Sequence, residues 1–212
     1  VDYPDGTVVY TTVQSCGRGQ QGNSWESEPG RNLAFSLLLK PTFLPVTMSF
    51  ALSELTALAI AETLDEYVPG FLIKWPNDIY HDDRKAVGIL IENRLSGRTL
   101  SHSIVGVGVN LNQRVFRSDA PNPVSVVQLM EERAAPDIAQ NSHRNKGGFA
   151  NSDKVEDFTH SCVALNGNRE KVEDFPPASE AQECNSDSNR IDIERTLREI
   201  MQRLMGYYSA LR

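Results

Sequence analysis

A cation, an aromatic face, an amide and a carboxylate follow one another in Lys74-Trp75-Pro76-Asn77-Asp78, and seven residues on Lys85 opens the apolar run Ala86 to Leu90. An ammonium group and hydrogen-bonding amides beside an indole suit a ligand that is both anionic and aromatic, such as a nucleotide. Phe71-Leu72-Ile73 reads as the strand leading into the pentapeptide and Val87 to Glu92 as its antiparallel return, which places Lys74 and Lys85 at the ends of a hairpin. A second such stretch lies upstream, from Gln14 to Trp25. Its glycines at 17, 19 and 22 let backbone amides approach an anion closely, and Arg18 adds a planar fork of donors for a carboxylate or phosphate. It is not a dinucleotide fingerprint, because Trp25 to Gly30 reads as a turn where that motif opens a helix. Alone, such a loop is more often a surface hairpin than a phosphate cradle. Cys16 has no histidine near it in sequence, and His81, His102, His143 and His160 lack ligand spacing, so no structural metal is expected.

These groups must be positioned by a scaffold whose elements are readable from periodicity. Gly6 to Val13 and Leu33 to Leu39 are rich in β-branched, aromatic and aliphatic residues and predict strands. Thr47 to Tyr67 carries apolar residues near helical spacing and stops before Pro69-Gly70, as a mostly buried helix would. Ser103 to Asn110 predicts a further strand across a Ser96-Gly97-Arg98 turn, and Trp75, with apolar strand neighbours, is expected in the core. Helices mixed with hairpin-connected strands predict an α+β fold, a mixed or antiparallel sheet flanked by helices. Residues 130–190 are poor in apolar residues and hold Gly147-Gly148 and Pro176-Pro177, so they predict a polar, disordered insertion. The pentapeptide Lys-Val-Glu-Asp-Phe occurs twice within them, at 154–158 and 171–175, too few copies for a solenoid. Order is expected to return at Ile193 in a helix whose stripe of Leu197, Ile200, Leu204 and Tyr208 should pack on the sheet.

With 212 residues, 40% apolar and 23% charged, the chain is long enough for one catalytic domain of a soluble globular protein. A formal charge of −7 excludes a general nucleic-acid binder, which needs a basic face. Phe50 to Ala61, interrupted by Ser53 and Glu54, is too short to span a bilayer. No charged-then-apolar leader opens the sequence, and the three cysteines are an odd number without a framework spacing. Cytoplasm, with no membrane partner, is the expectation.

Gly17-Arg18-Gly19, Trp25, Gly30, Asn32-Leu33, Lys74 to Asp78, Lys85 to Glu92 and Gly106-Val107-Gly108-Val109-Asn110-Leu111-Asn112 stand in one order that resembles the catalytic domain of biotin protein ligases, the biotin–acetyl-CoA-carboxylase ligases. The resemblance implies a class II aminoacyl-tRNA synthetase/biotin ligase-like fold over 1–129 plus 191–212, with 130–190 inserted. It implies condensation of biotin with ATP to biotinyl-5'-AMP, then transfer of the biotinyl group to a lysine of a biotin carboxyl carrier domain; a homodimer is compatible with it. Lys85 then matches the lysine contacting carboxyl and phosphate oxygens, and Arg18 the loop arginine that closes on the phosphate side. Gln14, Gly17, Gly19, Gln20 and Gly108 fall with them in the biotin and adenylate site. Trp25, Asn77 and Asn110 match the adenine wall, although a core role for Trp25 is equally natural. Asp78 matches a position near phosphate and the Mg2+ that arrives with ATP, although a carboxylate there is also a common turn former.

Two departures accompany the resemblance. Gln20 stands where many members carry a second loop arginine. The Ser/Thr-Thr-Asn biotin-binding segment of the family has no counterpart in the sixteen residues before Gly17, which implies that it lies upstream of residue 1 or has been lost. Neither an N-terminal winged helix nor a small C-terminal barrel is legible. A lipoate or octanoate protein ligase of the same fold and a non-catalytic remnant are therefore the competing functions.

Overall fold

Period-two alternation builds a sheet, and two long apolar stripes build the helices that cover it. The computed structural model describes residues 2–118, 120–135 and 189–212. In chain order the elements are β1 (Thr7–Thr11), the short β2 (Gly17–Arg18) and β3 (Ser24–Trp25), β4 (Leu33–Leu39), α1 (Ala51–Asp65), β5 (Phe71–Lys74), β6 (Asp78–His81), β7 (Arg84–Ser96), β8 (Thr99–Val109), α2 (Val126–Ala134) and α3 (Ile193–Leu211). Six strands form one antiparallel sheet in the order β1-β4-β8-β7-β6-β5, while β2 and β3 make a separate two-stranded ribbon. The α+β reading of the sequence therefore holds. The β7–β8 turn is made at Gly97, whose φ of +61° is a left-handed conformation that glycine takes without strain.

Leu37 and Leu39 of β4, Val105 and Val107 of β8 and Ile89 of β7 share one core with Leu52, Ile60 and Leu64 of α1 and Ile200, Leu204 and Tyr208 of α3. Burying each large aliphatic chain contributes about 1.5–3 kcal/mol, which is what orders the layer. Buried Thr56 and Thr63 donate their hydroxyls to Leu52 O and Ala59 O, so α1 can be buried on nearly all sides without orphaned polar groups. The stripe of α3 packs with α1 and the sheet in this core; just beyond α1 the Tyr67 and Thr196 hydroxyls lie 2.9 Å apart, and at the sheet edge Tyr10 of β1 donates to Glu194 at 3.0 Å. Among the described residues no helix is long and apolar enough to cross a membrane.

The structure corrects three expectations. A separate strand, β6, stands between the pentapeptide and Lys85, so Lys74 pairs across from Asp78 while Lys85 pairs across from Tyr80. The two lysines thus sit at successive turns, not on one hairpin. Trp75 is 77% exposed and only leans on Phe50 at 6.3 Å, because it stands in the turn beyond edge strand β5, where no layer covers it. Order also continues past Leu129. Ser125 and Gln128 form a capping box, and the polar residues that follow are spoken for: Glu131 pairs with Arg114 at 2.6 Å and Glu132 holds Arg84 by two bonds of 2.7 Å. The rest of the expected insertion, including both Lys-Val-Glu-Asp-Phe copies, His143 and His160, lies outside the described residues. The chain re-enters at Ile191, whose backbone exchanges two hydrogen bonds, of 2.8 and 2.9 Å, with the buried side-chain amide of Asn112.

Candidate active site

Small residues come first, because they make the room. Gly88 of β7 pairs directly with Gly108 of β8, and the indole of Trp25 lies on both. A methyl group at Gly108 would stand 2.4 Å from the Trp25 Nε1, and one at Gly88 would stand 2.9 Å from Cζ3, so any side chain there displaces the ring. Gly17 is as tightly placed, since a Cβ would meet the Trp25 carbonyl at 2.5 Å and the Gln14 Oε1 at 2.9 Å. Trp25 Nε1 is buried and finds no acceptor among the described residues, which costs about 1–3 kcal/mol until a ligand or water accepts that proton.

Lys85 reaches the same floor from the start of β7. Its backbone is fixed on both sides, N–H donating to Asn122 O at 2.8 Å and C=O accepting from Val124 N at 2.9 Å. Its side chain is three-quarters buried, with Nζ 2.8 Å from Asp78 Oδ1 and 5.9 Å from the centre of the Trp25 ring. Asp78 pairs in register with Gly88, which explains why its carboxylate arrives at this point. A buried ammonium between a carboxylate and an indole, over a floor without side chains, can take an anion by sharing or exchanging its carboxylate partner.

The other sequence candidates divide. Asn110 is 3% exposed; its N–H donates to Ala86 O, and its side-chain amide donates to Val124 O at 3.3 Å and faces Asn32 Nδ2 at 3.5 Å. Asn77 serves the scaffold: Nδ2 donates to Ile89 O at 2.7 Å and its carbonyl accepts from Ile89 N at 2.9 Å, clipping the β5–β6 turn onto β7. Arg18 is exposed on β2, and no hydrogen bond or ion pair with the described residues holds its guanidinium. Gly19 closes the ribbon by donating to Asn23 O at 2.7 Å, and Gln20 begins a single exposed turn between β2 and β3.

Glu26 and Gln113 were not singled out from the sequence, and Gly88 and Asn32 stood in motifs without being given a role. Paired strand glycines signal close approach, and Gly88 could have been found that way. Gln113 is 1% exposed and uses every bonding site: Oε1 accepts from Asn32 Nδ2 at 2.6 Å and Glu28 N at 2.9 Å, while Nε2 donates to Val115 O and to Glu26, both at 2.9 Å. Glu26 also accepts from the backbone of Arg117 at 2.9 Å and of Ser118 at 2.7 Å. Burial pushes its carboxyl up, but the bonds from Ser118, Arg117 and Gln113 outweigh that and hold its pKa below the usual glutamate value. Among the described residues no cluster of His, Cys, Asp and Glu is arranged to hold a metal ion.

Sheet and helices together define an α+β protein with an antiparallel sheet flanked by helices, and Lys85, Asp78, Trp25, Gly88 and Gly108 meet on it. Residues 2–110 match the Biotin/lipoate A/B protein ligase family. The bifunctional ligase/repressor BirA of Bacillus subtilis is 34% identical over 134 residues, covering 62% of this chain and 40% of the relative. The biotin–[acetyl-CoA-carboxylase] ligase of Paracoccus denitrificans is 37% identical over 125 residues, 56% of this chain and 51% of its own. The biotin protein ligase from Aquifex aeolicus, solved in complex with biotin and ATP, shares the fold with a TM-score of 0.60 at 22% identity, covering 98% of this chain and 62% of that one. The chain belongs to the biotin/lipoate A/B protein ligase family. Its matches span only 40% of the length of the Bacillus subtilis relative and 51% of the Paracoccus denitrificans one.

Proposed function

We propose that this domain activates biotin with ATP and transfers the biotinyl group to a lysine of a biotin carboxyl carrier domain. In the first step a biotin carboxylate oxygen bonds to the α-phosphorus of ATP, the bond to the β-phosphate oxygen breaks, and pyrophosphate leaves. In the second the acceptor lysine amine, as it loses a proton, bonds to the acyl carbon and AMP leaves. Lys85 is the group that holds the carboxylate and α-phosphate oxygens together, where both would otherwise repel. Trp25, seated on Gly88 and Gly108, forms a wall beside Lys85 that excludes water from the anhydride. Arg18, free on the ribbon, closes over the phosphate side, with Gln14, Gly17, Gly19 and Gln20 lining that approach. Asn110 sits at the adenine end. Asp78, engaged with Lys85, is placed to adjust that lysine, and Mg2+ enters as the counter-ion of ATP.

The observation that carries the reading is Lys85 Nζ held between Asp78 and Trp25 over paired glycines. Its test is ATP–pyrophosphate exchange with biotin, then with lipoate. Biotin-dependent exchange is expected; exchange with lipoate alone would move the assignment to a lipoate ligase, and exchange with neither would mark a non-catalytic remnant. Sedimentation with and without the adenylate tests whether the domain forms a homodimer.

A further inference from the structure

We propose that Glu26 and Gln113 are positioning residues that set where Trp25 lies and how Asn110 is oriented, acting on the proposed ligase site without touching the ligand. Trp25 sits at the end of β3, on a ribbon tied to the sheet by little backbone pairing of its own. Glu26, the next residue, supplies the tie. Its two oxygens take the backbone N–H groups of Arg117 and Ser118 and the Gln113 amide, so the chain just beyond the indole is clamped to the segment that follows β8. Gln113 carries the clamp inward: its Oε1 fixes Glu28 N and Asn32 Nδ2, while Asn32 Oδ1 accepts from Leu111 N at 3.1 Å and Nδ2 faces Asn110 Oδ1. One connected set of bonds therefore runs from the residue after Trp25 to the residue proposed at the adenine end. Every polar atom of Gln113 is used, so no rotamer flip of its amide leaves the network intact. A carboxylate is also the fitting group at 26, since it offers acceptors only and three N–H donors point at it.

Glu26→Gln keeps the shape but turns an NH2 toward those donors, and Gln113→Met removes both the acceptor and the donor from the buried end. Each variant is compared with the parent in thermal midpoint, acrylamide quenching of tryptophan fluorescence, and the separate KM values for ATP and biotin in pyrophosphate exchange. Trp75 is exposed in every variant, so a growing quenchable fraction reports Trp25. The expected result is a larger quenchable fraction in both variants and a KM for ATP raised about tenfold, the size of one lost charge-assisted bond, with a smaller change in kcat. Glu26→Asp should recover part of both signals. Lower thermal midpoints with unchanged quenching and unchanged KM values would reduce the pair to structural residues and overturn the proposal. Because quenching needs no turnover, altered quenching in a protein that exchanges with neither acid would sink the ligase reading and leave the clamp standing, while unaltered quenching would sink the clamp whatever the activity.

Discussion

The floor of the site and the ribbon above it are built on opposite principles. Around the floor, polar groups other than Trp25 Nε1 are engaged by the fold: Lys85 is pinned at both backbone atoms and paired with Asp78, and Asn77, Asn32, Asn110 and Gln113 all have protein partners. On the ribbon, Arg18 and Gln20 face solvent, and Gly17 and Gly19 leave the backbone little side-chain anchorage. The difference teaches where ligand-driven ordering can occur, since a group already satisfied gains little from a ligand and an unengaged cation gains much. It also assigns costs: changes on the floor should damage chemistry outright, and changes on the ribbon should damage retention.

Lys85→Ala is the strongest test of the fixed side. It should lower pyrophosphate exchange by at least about a hundredfold, the usual loss for a group that stabilises charge in the transition state, with a lowered thermal midpoint, since Asp78 loses its ion-pair partner, but a protein still folded at assay temperature. An active, well-folded Lys85→Ala protein would remove the floor's claim to the chemistry. Gly108→Val comes next. Forcing the indole off β8 should reduce exchange about tenfold to a hundredfold, as misplacement by about an ångström does, and should expose Trp25 to quencher. Normal activity in that variant would show that Trp25 need not rest there. Arg18→Ala sharpens the other side of the contrast. It should leave stability unchanged and let the intermediate escape about tenfold faster, measured as AMP release without acceptor, because one charge-assisted bond to phosphate is missing. The smallest effect concerns pH. Glu26 and Glu132 have lowered pKa values, Glu132 chiefly through its bonds to Arg84, so their contribution is complete at neutral pH and fades as pH falls through those lowered values. The thermal midpoint should therefore drop in acid for the parent and drop less for Glu26→Gln; parallel curves would mean that Glu26 does not couple.

Strong periodicity and turn chemistry were the legible parts. Leu33–Leu39 was readable to the residue, α1 and α3 to within a turn or so, and the Gly97 turn directly. Lys85, Trp25 and Gly108 were legible because they stand in motifs, and the structure brings these three side by side, while Asn110 is held by Ala86, Val124 and Asn32. Trp75 misled because apolar neighbours signal burial only when another layer lies over the strand, and edge position is a property of the sheet order. The strand β6 was hidden inside a four-residue run, Asp78–His81, too short for a period to declare itself. All of α2 was missed, although Ser125-Val126-Val127-Gln128 carried the cap in plain sight; its Glu131 and Glu132 are paired with Arg114 and Arg84 at long range, which a local count cannot register. The clamp at Glu26 and Gln113 joins positions 87 apart, beyond any pattern in a window.

The grip of Asn112 on Ile191 joins two stretches of sequence 79 positions apart with a pair of hydrogen bonds between the Asn112 side-chain amide and the Ile191 backbone. Behind it, α3 brings a self-contained apolar stripe and its own N-terminal cap, Asp192 accepting from Arg195 N at 3.0 Å. The last two dozen residues therefore have the makings of a detachable part: a peptide of 189–212 carries its docking face, its helix start signal and its address on the larger piece. A domain cut between α2 and α3 is then open to reassembly on demand by fusing each piece to one member of an interacting pair, turning a continuous chain into a readable association.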